Sequence, residues 1–277
     1  MTVQRVLRDT RAQPQVEFFV GTTSTAADGT VTVDIFRADG TIFATDAATT
    51  HVGSAGVYSY TLAPQSVLER FQLVWEGTFG GVVQRVTSYV EVVGGYVVSL
   101  ADLAGESGLS TKTPAELAEA RQWFEDRAED FCGVAFVPRY ARDVLDGSGS
   151  RKLDLLHARP RSIISAKFDG AVQTTTTWDL YDAGYIITSG GTFPWGYRNI
   201  EIIYEHGYDV PPSDIRDAAL SAIRSNVLAT AGGGGIPAGV TQLITDAGTY
   251  NFGRPTRPFG IREVDDALVA RRVVLLA

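Results

Sequence analysis

Few side chains in this 277-residue sequence are suited to bond-making chemistry. There is one cysteine, Cys132, and there are three histidines, His51, His157 and His206. A thiolate beside an imidazole would make an activated nucleophile. Cys132, however, stands at the end of a predicted helix between Phe131 and Gly133, and neither His157 nor His206 has a recognisable spacing to it. Packing is the simpler role for so small and apolar a side chain. A lone cysteine also closes no disulfide within the chain and founds no cysteine-built structural zinc site. Carboxylates cluster twice. Asp126, Glu129 and Asp130 read as the solvated face of one helix, and Glu263, Asp265 and Asp266 stand near the start of another, where the helix dipole favours them. Gly232 to Gly235 follows a helix and leads into Ile236-Pro237, without the Lys-Ser/Thr of a phosphate loop, so it reads as a mobile loop or hinge. Trp178, Trp195, Tyr185 and Tyr197 could form a platform for a sugar or a base, although aromatic enrichment in a small sheet is usually core. These residues predict no catalytic site, no cofactor and no metal.

The most informative feature is apolar. Val273, Val274, Leu275 and Leu276 precede Ala277, where chain ends are ordinarily polar unless tied down. Each such side chain is worth roughly 1.5–3 kcal/mol on burial. They either fold back on this chain's own core or anchor a partner.

Composition narrows the classes further. Hydrophobic residues make up 44% and charged residues 20%, as in globular proteins and unlike disordered ones. No run approaches the roughly 18–20 apolar residues of a membrane helix, and Met1-Thr2-Val3-Gln4-Arg5 lacks the apolar core of a signal peptide. The net charge of −8 argues against wrapping nucleic acid, which needs clustered Lys and Arg.

Two domains are expected, at 1–95 and 96–277. In the first, Val31, Val33 and Ile35 alternate with Thr30, Thr32 and Asp34, and Phe71, Leu73 and Trp75 alternate with Gln72 and Glu76. That period of two marks half-buried strands. Further strands are expected near Val16–Val20, Ile42–Thr45, Val57–Leu62 and Val82–Val92, with Asp28-Gly29 and Asp39-Gly40 as hairpin turns. Six or seven short strands predict an all-β sandwich of immunoglobulin type. Gly94-Gly95 then breaks the pattern. Ser99 with Asp102 predicts a short capped helix, and Thr113-Pro114-Ala115-Glu116 predicts a capping box opening a long one that Gly133 ends. Arg142–Leu145 and Lys152–Leu156 read as arms of one hairpin around Asp146–Ser150, and Ser162–Phe168 and Ala171–Thr175 as another around Asp169-Gly170. A second long helix starts near Pro212 or Ser213, with Ile215, Ala218, Ala219, Ala222 and Ile223 on one face. A last helix covers about Ile261 to Arg272, after a possible strand near Thr249–Phe252.

Three stretches resemble the head–tail adaptor (head completion, or connector) proteins of long-tailed bacteriophages. They are Arg159-Pro160-Arg161-Ser162-Ile163-Ile164 with Phe168-Asp169-Gly170; Tyr204-Glu205-His206-Gly207-Tyr208 with Val210-Pro211-Pro212-Ser213-Asp214-Ile215-Arg216-Asp217-Ala218; and Phe259-Gly260-Ile261-Arg262-Glu263-Val264-Asp265-Asp266-Ala267-Leu268. The resemblance covers about Tyr96 to Arg272. It implies a multi-domain chain in which the β-sandwich is followed by a mainly α connector domain, a helical bundle with inserted β-hairpins. It further implies a ring, usually of twelve copies, beneath the portal protein at the capsid vertex of the virion. Such a ring extends the DNA channel and meets a stopper or tail-terminator protein. On this reading Ile215, Ala218, Ala219, Ala222 and Ile223 lie on the subunit-packing helix, and Val273, Val274, Leu275 and Leu276 form a portal-docking tail. The front domain, absent from compact members, decorates the neck and is placed to touch the major capsid protein. Twelve copies at −8 each carry about −96, which repels passing DNA instead of binding it. The alternative is a carbohydrate-binding or adhesin module carried by the front sandwich.

Overall fold

The computed structural model describes residues 3–53, 55–231, 242–245, 248–251 and 258–273. The chain divides into two compact units, Met1–Gly94 and Gly95–Ala277.

The front unit is all β, with β1 (Val3–Leu7), β2 (Gln15–Glu17), β3 (Phe19–Val20), β4 (Thr23–Ser24), β5 (Thr32–Arg37), β6 (Ile42–Ala48), β7 (Thr50–His51), β8 (Val57–Ser59), β9 (Arg70–Phe79) and β10 (Val82–Val93). A five-stranded sheet runs β1-β10-β9-β5-β6, a three-stranded one runs β2-β8-β7, and β3 pairs with β4. Alternation decides which face is inward: Phe71, Leu73, Trp75 and Phe79 of β9 are buried, as are Val33 and Ile35 of β5. Beneath them Phe18 stacks on Phe79 with ring centroids 4.4 Å apart and meets Tyr58 edge-on at 6.0 Å, which ties the smaller sheet to the larger. The Trp75 indole N–H donates to Ser88 Oγ at 2.9 Å, so its burial strands no donor. Gly40 turns the β5–β6 hairpin with φ +84°. Asp28-Gly29 makes no hairpin; Asp28 instead accepts the Gly81 N–H at 2.8 Å from the turn between β9 and β10. Strand β1, whose five residues Val3–Leu7 show no alternation to signal it, lies parallel to the end of β10.

The second unit contains α1 (Leu100–Gly105), α2 (Pro114–Cys132), β11 (Arg139–Ser148), β12 (Lys152–Asp154), β13 (Pro160–Phe168), β14 (Ala171–Val172), β15 (Trp178–Tyr181), β16 (Tyr185–Thr188), β17 (Trp195–His206), α3 (Ser213–Ala231), β18 (Gln242–Thr245), β19 (Gly248–Asn251) and α4 (Arg262–Arg271). The predicted cap at Ser99 and the predicted capping box at Thr113 both form, the first as a capping box as well. Ser99 and Thr113 accept from the amides of Asp102 and Glu116, whose carboxylates accept from the cap amides in return. Gly133 closes α2 in the left-handed conformation at φ +66°. Phe124 and Ala128 of α2, Ile215, Ala219 and Ile223 of α3, and Val264 and Leu268 of α4 share one core with Phe136.

The mainly α connector domain is nevertheless corrected by the fold. Over both units 41% of the described residues lie in strands and 21% in helices, and the second unit itself carries nine strands beside its four helices among the described residues. What the sequence reading treated as inserted hairpins is a four-stranded sheet in the order β11-β17-β13-β14, facing a three-stranded one in the order β12-β16-β15. Leu153, Leu155 and Ile186 pack against Ile200, Ile202 and Tyr204 of the long strand β17. The two arms expected around Asp146–Ser150 go to different sheets, since β11 pairs with β17 and β12 with β16. The turn residues mark where the chain reverses, but Val144 meets Glu201, far along the sequence, and no local signal records that pairing. The Asp169-Gly170 hairpin does form, with both residues at positive φ.

Candidate interaction surface and buried polar cluster

Strands β11 and β17 meet at their ends in an unusually constrained tip. Ser148 pairs with Trp195 and Gly147 with Gly196 after a register slip at Leu145/Gly147. Arg198 adopts φ +49°, and its amide donates to Asp146 Oδ1 at 2.7 Å. The buried Asn199 side chain accepts the Gly147 N–H at 3.0 Å and donates to the Trp195 carbonyl at 3.4 Å. A Cβ at Gly147 would overlap the Pro194 carbonyl, and one at Gly196 would come within 2.6 Å of Asn199 Nδ2, so only glycine permits this approach. From this fixed backbone Trp195 and Tyr197 project into solvent, 82% and 80% exposed. Large rigid aromatic surfaces of this kind carry a disproportionate share of binding energy at protein interfaces.

The four-aromatic platform is therefore divided. Trp178 packs in the sheet core, 5.8 Å from Phe168 and 5.1 Å from Phe193, and Tyr185 stacks on Tyr181 at 4.7 Å. The front unit's tryptophan, Trp75, is fully buried.

Ile215, Ala218, Ala219, Ala222 and Ile223 are all buried in the core of their own unit, against α2 and α4. The regular apolar stripe of α3 is satisfied within the chain, and its other flank, with Arg216, Asp217 and Arg224, faces solvent. Val273 packs on the same core, and its N–H donates to the Cys132 carbonyl at 2.7 Å. Val274, Leu275, Leu276 and Gly232 to Gly235 lie outside the described residues. Cys132 is buried with its Sγ 3.3 Å from the Leu268 carbonyl, and burial pushes its thiol up to about 12. Neither acidic cluster converges on a reactive centre. Glu129 accepts from Arg139 at 3.0 Å, and the buried Asp265 accepts the Phe259 N–H at 2.9 Å.

A polar cluster that the sequence reading did not find runs between the sheet and α2. Arg139 donates to Glu125 at 3.0 Å as well as to Glu129, and Glu125 accepts the Val97 N–H at 2.9 Å. Arg121 lies 3.4 Å over the Tyr96 ring and donates to the Val98 carbonyl at 3.3 Å. Further along the sheet, the Tyr204 hydroxyl donates to Asp143 Oδ2 at 2.7 Å, and the Leu156 N–H donates to the same oxygen at 2.9 Å. That leaves the phenolic oxygen to accept from His157 Nδ1–H at 3.1 Å, a tautomer assigned from the network. Burial alone would raise the Asp143 carboxyl, but the donors from His157, Leu156 and Tyr204 outweigh it and hold the group below its ordinary value. His206 lies under His157 with ring centroids 4.3 Å apart, and its Nδ1 has no hydrogen-bond partner. Burial, with the charges of His157 and Arg139, lowers it to about 3. The available signal was parity. Arg139 and Asp143 share the buried phase of β11 with Ala141, and His206 shares that of β17 with Ile202 and Tyr204. Among the described residues no group of three or more potential ligands is arranged to hold a metal ion, and no helix is long and apolar enough to cross a membrane.

The three stretches that carry the adaptor resemblance converge in space. Arg159 lies 4.1 Å over the Tyr208 ring, its carbonyl accepts the Gly207 N–H at 3.0 Å, and Arg161 pairs with Asp209 at 2.6 Å. The third stretch joins them through Val264 and Leu268, which share one core with Ile215 and Ala218 of the second. No protein-family model matches the chain, and no curated protein matches it significantly. Among solved structures the chain is similar to one described as "Virion of native gene transfer agent (GTA) particle", at 16% identity and a TM-score of 0.45, covering 65% of this chain and 92% of that one.

Proposed function

We propose that the protein is a structural component of a phage-type virion and acts there as a head–tail adaptor. Copies assemble in a ring, usually of twelve in the family it resembles, beneath the portal, where they extend the DNA channel and receive the stopper or tail terminator. The observation that carries this reading is the β11–β17 tip, whose backbone is locked by Asp146, Asn199 and two glycines while Trp195 and Tyr197 stand bare. Ordering these aromatics in advance lowers the entropic cost of docking, which suits a protein that joins preformed parts. The mutual contacts of the three adaptor-like stretches support it, because they act as one structural unit. Neighbouring copies meet through the solvent-facing flank of α3, since the apolar flank is spent inside the chain. Weak contacts of that kind suffice in a ring, where each copy is held from two sides. The front unit is assigned to decoration, touching the capsid, and the bond-breaking chemistry of an enzyme has no part in the proposal.

The test uses the full chain mixed with portal protein, followed by native mass spectrometry and electron microscopy. A ring on the distal face of the portal is expected. The W195S/Y197S double variant should still form that ring but no longer recruit the stopper. A chain that stays monomeric and indifferent to the portal refutes the proposal. Glycan binding by that monomer would favour the adhesin alternative.

A further inference from the structure

The pair His157 and His206, whose rings touch at a tilt of 35°, has no role in the adaptor reading, and its surroundings are specific. His206 sits near the end of β17, between β11 and β13, directly opposite Arg139 on one side and Pro160 on the other. It is 6% exposed, and its Nδ1 has no acceptor or donor within reach. His157, partly exposed, covers it from the segment between β12 and β13. The charged and titratable groups facing the pair are Arg139 and Asp143 from β11, Tyr204 from β17 and, through Arg139, Glu125 and Glu129 of α2. Asp143 lies 3.7 Å from His157 Nδ1, and its other oxygen is occupied by Tyr204 and Leu156. A proton arriving on His206 therefore meets the Arg139 cation across the strand pair and gains no hydrogen-bond acceptor at Nδ1, while the open oxygen of Asp143 faces His157 instead.

We propose that this pair is an acid-operated latch that holds the segment Leu155–Arg159 against the sheet near neutral pH and releases it on acidification. The segment is fastened by few bonds. The Leu155 N–H donates to the Gly184 carbonyl at 2.8 Å, the Arg159 N–H to Asp182 at 2.9 Å, and the Gly207 N–H returns to Arg159 at 3.0 Å. The Leu156 N–H reaches Asp143 at 2.9 Å. Opening exposes His206 to water, where an imidazole takes up a proton near pH 6.5. The open state thus binds more protons than the closed one below that pH, and closure weakens about tenfold for each further pH unit.

Amide hydrogen exchange of the full chain at about pH 7.5 and about pH 5, corrected for the intrinsic rate, reads the latch directly. Exchange at Leu155, Leu156, Arg159 and Gly207 should rise on the order of 30-fold in acid, from the 1.5 pH units below 6.5. Amides of β9 in the front unit should not respond. His206→Phe keeps an aromatic ring without a titrating nitrogen and should abolish the rise. Should that variant fail to fold, the wild-type imidazole resonances decide: His206 must stay neutral until the four amides begin to exchange. An acid-insensitive segment, an equal response in H206F, or protonation of His206 with the segment still closed would overturn the latch.

Discussion

Replacing Gly133 by alanine tests whether the C-terminal segment belongs to this chain's own core. Gly133 ends α2 at φ +66°, a left-handed conformation that costs an L-residue about 1–2 kcal/mol. An added Cβ would also come within 2.8 Å of the Val273 carbonyl oxygen. The strap formed by Arg272 and Val273 must then shift, and the 2.7 Å bond from the Val273 N–H to the Cys132 carbonyl is the contact at risk, worth roughly 0.5–1.5 kcal/mol. The sum is about 1.5–3.5 kcal/mol. Gly149→Ala is the matched control: φ is +72°, but its Cβ would meet the Trp195 ring at an ordinary 3.8 Å, so only the backbone cost of about 1–2 kcal/mol remains. Two units can unfold separately, so a single urea midpoint would mix them. Native-state hydrogen exchange at Leu268 and Val269 in α4 isolates the relevant region. G133A should raise exchange there by on the order of tenfold or more, and G149A should leave those amides unchanged. Equal behaviour of the two variants would show that Val273 is not held on the core, and that the strap is free for a partner.

Two further outcomes follow from the buried groups. Cys132, its thiol pushed up to about 12, should resist a thiol reagent in the native chain at neutral pH and react fully in denaturant; fast native labelling would contradict its burial. Asp143→Leu leaves the Tyr204 hydroxyl and the Leu156 N–H without their acceptor and should destabilise the second unit by about 2–6 kcal/mol, read by native-state hydrogen exchange at amides of β11 and β17. Because the Asp143 carboxyl is held below its ordinary value, its contribution is present at neutral pH and lost as pH falls through the folded value, so D143L should show a shallower acid loss than the wild type.

Some of this architecture was legible from neighbours in sequence. The capping boxes at Ser99 and Thr113, the left-handed stop at Gly133 and the Asp169-Gly170 turn are local chemistry, written within four residues of where they act. Apolar parity placed Trp75 and its strand neighbours correctly for the same reason. The balance of helix and sheet in the second unit was misread because strong helix signals outweighed strands whose partners lie far away. The tip bearing Trp195 and Tyr197 shows the same limit. Its residues were visible as aromatics, but their exposure depends on Asn199 reaching back to Gly147 across the strand pair.

Local propensity, capping and alternation thus specified the segments, since a helix cap or a strand face is settled by residues already adjacent along the chain. Which strands share a sheet, which face of α3 is spent inside the molecule, and how His206 comes to lie beside Arg139 were decided only by long-range packing. Burial and hydrogen bonding there are properties of the folded neighbourhood, shared among residues that the sequence holds far apart.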